Sequence, residues 1–152
     1  MTSQDHSGFD RAIRLHIYYH FATVGRPPTT GETARVLNRD ANEIAEAYQR
    51  LAAGRVLVLN PGTLDIRMAN PLSAIPTQHR VEAIGREWYA SCVWDALGVI
   101  AMFGGTGTVL SECGDCGEPM RLRVENGELV ERAGVIHFAL AAAHWWDDII
   151  FT

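Results

Sequence analysis

A cysteine and a carboxylate stand three residues apart in the run Trp88-Tyr89-Ala90-Ser91-Cys92-Val93-Trp94-Asp95-Ala96-Leu97. Residues at i and i+3 share one face of a helix, so the thiol and the carboxyl can address the same small object. The run opens an apolar stretch that reads as a helix. A thiol at a helix N-terminus lies at the positive end of the macrodipole, which favours the thiolate. Cys92 is therefore a candidate nucleophile or soft-metal ligand, and Asp95 a candidate proton carrier. The same two residues also suit a plain structural role, a buried free cysteine beside an aspartate in the first helical turn.

Cys113-Gly114-Asp115-Cys116-Gly117 is the second candidate. A C-x-x-C with small residues inside it is half of a zinc knuckle or a redox dithiol. A structural zinc site takes four ligands and the chain has no second C-x-x-C, so Cys92, His137 or an acidic side chain would have to complete it. A redox dithiol needs the motif at a helix start, whereas Gly117-Glu118-Pro119 reads as a turn. A glycine-rich hairpin with incidental cysteines is the bland alternative. His16 and His20 lie one helical turn apart, a spacing open to metal, on a helix whose aromatics favour a packing or surface role. His144-Trp145-Trp146-Asp147-Asp148 reads as a packed edge or the wall of a ligand site.

Elements must position these groups, and the chain reads as α+β. Residues 9–24 have the periodicity of an amphipathic helix, with Ile13, Ile17, Tyr18 and Phe21 near one face. Gly25-Arg26-Pro27-Pro28 ends it. Thr29 with Glu32, then Asp40 with Glu43, carry the capping-box spacing and open helices to about residues 37 and 53, the second stopped by Gly54. Residues 56–59, a turn at Asn60-Pro61-Gly62 and residues 64–68 predict a β-hairpin. Three helices and a hairpin make residues 1–70 an N-terminal winged-helix-like domain. Residues 71–76, with two prolines, read as a linker. Residues 77–152 then read as a small mixed-sheet core domain with one buried helix over 92–103. Its predicted strands span 79–84, 86–89, 108–111, 120–125 and 134–139, with Asn126-Gly127 a hairpin turn.

Composition narrows the function. With 152 residues, 47% hydrophobic and 20% charged, the chain can bury a core as one domain or one domain with a cap. The formal net charge is −5 and every basic side chain is an arginine. That balance argues against broad nucleic-acid binding or attraction to an anionic membrane. The would-be recognition helix carries Glu43 and Glu46 against Arg50 alone, and phosphate contacts need positive charge. No apolar run approaches the ~18 residues of a membrane span, and the polar first ten residues lack a signal-peptide core, so a cytoplasmic location is expected. Three cysteines in such a compartment read as reactive thiols or metal ligands rather than a disulfide framework.

From about Pro71 onward the sequence resembles the organomercurial (alkylmercury) lyase family, in a form shortened at the C-terminus. The matching residues are Trp88-Tyr89-Ala90-x-Cys92-x-x-Asp95-Ala96-Leu97 with the apolar helix after it, and Ser111-x-Cys113 leading to Gly117-x-Pro119. The front half is similar to that family's N-terminal region without sharing specific motifs. The resemblance implies that Cys92 captures the mercury of R–Hg⁺ and that Asp95 moves a proton to the leaving carbon. The products would be R–H and protein-bound Hg(II), with no cofactor required and a small thiol as acceptor. Cys113 matches a family cysteine held to be structural. The family's second catalytic cysteine would align at or just beyond Thr152, and no cysteine follows Cys116. Cys116, with Cys113, is then the candidate to complete mercury binding.

Three readings stay open at this stage. One is the lyase. Another is a non-catalytic soft-metal binder for mercury, copper or zinc, or a metal-responsive regulator. The third is an enzyme on this fold using Cys92 as nucleophile and Asp95 as acid for other thiol chemistry.

Overall fold

The computed structural model describes residues 3–131 and 134–150, so the position aligned with the family's second cysteine lies outside the described residues. Helix α1 (Ser3–Val24) begins six residues earlier than its apolar periodicity indicates. Its inner face is Ile13, Ile17 and Phe21, each fully buried. Helix α2 (Thr30–Leu37) starts at Thr29, where the capping box with Glu32 is complete, and Arg26 holds the same Glu32 from outside at 2.6 Å. Helix α3 (Ala41–Ala53) starts at Asp40 with Glu43 closing its own box, and Gly54 ends it. The three helices pack on one another. Between α2 and α3 the buried hydroxyls of Thr33 and Tyr48 satisfy each other at 2.7 Å.

The predicted hairpin is present as β1 (Val58–Leu59) and β2 (Ile66–Ala69). The stretch 71–76, expected as a linker, instead carries strand β3 (Leu72–Ser73). Leu72 and Ser73 are buried because they pair on both sides, with Ala69 and Met68 of β2 and with the strand that follows in the sheet. Prolines 71 and 76 flank this strand without interrupting its ladder, where prolines are tolerated.

The remaining strands are β4 (His79–Ala83), β5 (Arg86–Ala90), β6 (Gly107–Glu112), β7 (Pro119–Glu125) and β8 (Glu128–Leu129). All neighbours are antiparallel, in the order β1-β2-β3-β5-β4-β6-β7-β8. One eight-stranded sheet thus runs through both halves of the chain. Strand alternation sends Val81, Ala83, Trp88, Val109, Leu122 and Val124 to one face. Helix α4 (Val93–Met102) covers that face with Ala96, Val99 and Ile100. Arginines 80, 121 and 123 and glutamates 82 and 125 lie on the wet face in exposed ion pairs.

The turn Asn126-Gly127 is as predicted, with both residues at positive φ, but it joins β7 to the short β8. The strand expected over 134–139 is absent. β8 already caps that edge of the sheet, and the segment leaves it, with Val135 91% exposed and no ladder partner. Residues 134–150 run as irregular chain with one 3₁₀ turn, Ala142–His144. Among the described residues no helix is long and apolar enough to cross a membrane.

Candidate functional site

Cys92 is the N-cap of α4. Its backbone is extended (φ −145°, ψ 173°) as β5 ends, and the helix begins at the next residue. An N-cap side chain faces the N–H groups of the first turn, so the amide of Asp95 donates to Cys92 Sγ at 3.4 Å. The same turn brings the Asp95 carboxylate back, and the Cys92 thiol donates to its Oδ2 at 3.4 Å. Sulfur and carboxylate therefore hold each other by two contacts within one helical turn.

The electrostatics reverse the expectation of a ready thiolate. Burial, assisted by the adjacent Asp95 carboxylate, pushes the Cys92 thiol up to about 11, and the helix amides only partly oppose it. Burial also lifts Asp95 above the usual carboxylate range, against the hydrogen bond from Cys92. Desolvation penalises the charged form of both groups, and at Cys92 it outweighs a dipole worth about 0.3–1 kcal/mol at a surface. The pair thus keeps a proton next to the sulfur rather than expelling it.

The site opens where the inner face of the sheet runs past the start of α4. Pairing sets Ala90, His79, Ser111 and Met120 in one row across β5, β4, β6 and β7, and alternation points that row toward the helix side. His79 Nδ1 and Ser111 Oγ meet at 2.8 Å. Burial lowers the His79 pKa, which favours the neutral ring. Beyond this floor lies a cavity of about 970 Å³, lined by Cys92, Trp94, Asp95, His79, Ser111, Cys113, His137, Phe138, Trp145 and Trp146, among others. The segment predicted as a strand is its far wall. His79 and Ser111 escape a sequence reading because they are 32 residues apart and only strand register unites them.

Cys113 lines the same cavity, at the β6 end of the turn into β7, where Gly117 N–H donates to its carbonyl at 2.9 Å. Cys92 and Cys113 prolong β5 and β6, with β4 between, so their backbones stand roughly 10 Å apart by strand spacing. Cys116 is exposed at the tip of the turn and is not part of the cavity lining. It touches Cys113, and the amides of Cys116 and Asp115, with the Cys116 thiol, pull the Cys113 pKa down. The three cysteines are free thiols, two facing the cavity and one outside. His137 also lines the cavity, but among the described residues no three His, Cys, Asp or Glu side chains converge as a ready metal cage. His16 and His20 sit edge to face at 5.9 Å between ring centres, and among the described residues no third ligating side chain joins them as a metal cage. Of the His144–Asp148 run, Trp145 and Trp146 reach the cavity, while His144 bonds Asp147 at the surface.

Comparison with known proteins gives these positions a context. The family model described as "MerB: Alkylmercury lyase" matches residues 72–152. The alkylmercury lyase of Streptomyces lividans is 33% identical over 105 residues, which is 66% of this chain and 45% of that protein. The Bacillus cereus alkylmercury lyase is 30% identical over 112 residues, covering 70% of this chain and 46% of its own length. The chain thus spans just under half the length of the curated relatives it matches. A solved structure titled "Crystal structure of the mercury-bound form of MerB2" superposes with a TM-score of 0.66 at 23% identity, over 80% of this chain and 58% of that one. With the family model covering strands β3 to β8, α4 and both cysteine motifs, the chain belongs to the alkylmercury lyase family.

Proposed function

We propose that this chain cleaves carbon–mercury bonds by protonolysis, with Cys92 as the capturing sulfur and Asp95 as the proton carrier. The observation that carries the reading is the hydrogen bond from the Cys92 thiol to Asp95 Oδ2 inside the cavity. An organomercurial arrives as R–Hg–SR′, bound to a small thiol. Cys92 Sγ bonds to mercury while its proton passes to Asp95, and R′S⁻ leaves. Asp95 then delivers that proton to the mercury-bound carbon, the C–Hg bond breaks, and R–H departs. R′S⁻ returns to the vacated position on Hg(II), giving Cys92–S–Hg–SR′, and Asp95 is again a carboxylate. A second small thiol releases the metal and restores the Cys92 thiol. A soft sulfur suits a soft metal, and the raised Asp95 pKa suits a carboxyl that must hold a proton briefly.

The test is headspace detection of the hydrocarbon from an organomercurial incubated with the protein and excess small thiol. Release is expected from the unaltered chain and should fall at least a hundredfold in Cys92→Ser and Asp95→Ala. Serine is a good N-cap, so the first variant keeps α4 and isolates the chemistry. Equal release by all three chains would end the proposal.

A second reading, metal retention without cleavage, is favoured by the exposed Cys116 beside Cys113. It predicts stoichiometric Hg(II) binding that is lost in Cys116→Ser, with no hydrocarbon; zinc or copper would be held by the same pair. We read the front half as a winged-helix-like packing cap rather than a DNA reader. Arg50, the basic residue on α3, is held by Asp10 at 2.7 Å and lies near Glu46. A cytoplasmic site of action, among small thiols, fits this chemistry.

A further inference from the structure

We infer that the segment after β8 makes this an aryl-selective site, with Trp94, Phe138 and Trp145 forming an aromatic wall for the organic group of the substrate. The inference rests on the reading that R–Hg⁺ is captured at Cys92. Trp94 is the residue before Asp95, on the first turn of α4, and the residue is 56% exposed although it lines the cavity. Phe138 meets it edge to face, with ring centres 6.3 Å apart and planes at 76°. Trp145 continues the series at 5.1 Å from Phe138. Its indole N–H is already satisfied by the Leu140 carbonyl at 3.0 Å, so the ring needs no further polar partner and can present apolar surface. Three rings in contact thus lead away from the Cys92–Asp95 pair into a space of about 970 Å³.

A methyl group bound to mercury at Cys92 would leave that space empty. A flat aromatic group would extend along the rings in the edge-to-face or offset geometry that aromatic pairs prefer. Such pairs gain beyond simple area burial, and two of them amount to roughly tenfold in affinity. Phe138 and Trp145 come from a stretch outside the sheet ladder, so these two rings can adjust around the occupant against Trp94 on α4.

The test uses competition between equimolar phenylmercury and methylmercury under excess small thiol. Cys113→Ser and Cys116→Ser leave Cys92 as the sole thiol, and Asp95→Ala in the same chain lets adducts accumulate. Native mass spectrometry separates the two adducts by mass. The phenyl adduct is expected to exceed the methyl adduct about tenfold, and the ratio to fall to about threefold in Phe138→Ala and in Trp145→Ala, each of which removes one of the two pairs. Phe138 is 41% exposed, so its removal leaves the core intact, and circular dichroism checks that both variants are folded. A parent ratio near one, or a high ratio that survives both substitutions in folded protein, overturns the inference. Headspace measurement with Asp95 present separates this result from the lyase reading. Benzene outpacing methane supports both, whereas no hydrocarbon with an intact adduct ratio removes the lyase and leaves the aryl site standing.

Discussion

At Cys92 two effects that sequence reasoning sets side by side turn out to be unequal. Helical spacing shows from sequence alone that Cys92 and Asp95 share a face, because three residues is a local distance. The protonation state is not local. It depends on how deeply the N-cap is buried, and that is decided by strands and loops far along the chain. Cys113 has the opposite environment, a turn whose amides point at its sulfur. The pair should therefore part company toward a pH-sensitive alkylating agent. At pH 8 a thiol titrating near 11 is about one thousandth thiolate, and its rate climbs tenfold per pH unit until that pKa. Iodoacetamide labelling followed by peptide mass spectrometry should modify Cys113 well before Cys92. Equal rates at pH 8 would mean that the Cys92 proton is not held as described, and the proton-relay scheme would lose its starting point.

Among the elements, those written in short-range signals are the ones legible in the sequence. Thr29 with Glu32 and Asp40 with Glu43 mark two helix starts to the residue, and Asn126-Gly127 marks a hairpin. The early turns of α1 carry no apolar periodicity and go unseen. β3 is two residues long and exists only through its partners on either side, so two prolines make it look like a linker. Residues 134–139 err in the other direction: they have strand-like composition, but the edge they would join is taken by β8. Close packing between elements adds a requirement that periodicity does not reveal. A Cβ on Gly107 would lie 2.6 Å from the Glu82 carbonyl and 3.1 Å from side-chain atoms of Ala83 and Ile100. Gly107→Ala should push β4, β6 and α4 apart and cost about 1–3 kcal/mol, lowering the melting temperature by several degrees. A thermal melt within one degree of the unaltered chain would show that the backbone yields more easily than this geometry allows.

Across the whole molecule, most of the buried apolar residues form one cluster from Ile13 in α1 to Val124 in β7. Polar contacts stitch the same halves together: Trp88 Nε1 donates to the Phe21 carbonyl at 3.3 Å and Arg86 to the Thr23 carbonyl, while Tyr18 fixes the carbonyl of Asn70 at the junction at 2.7 Å. Cooperative unfolding follows from that continuity. Most helical residues lie in α1–α3, whereas all four tryptophans come after residue 70, so the two halves have separate reporters. Urea titrations followed by far-ultraviolet circular dichroism and by tryptophan emission should give coincident midpoints. Two resolved transitions would mean that the halves fold on their own. Their union across Leu72–Ser73 has one more consequence. Along those two residues it is made of main-chain hydrogen bonds, which every residue but proline can offer, so mutation can rewrite the outer surface of either half without loosening that ladder. The seam therefore leaves side chains at the mouth of the cavity free to diversify, while the frame that aims Cys92 stays put.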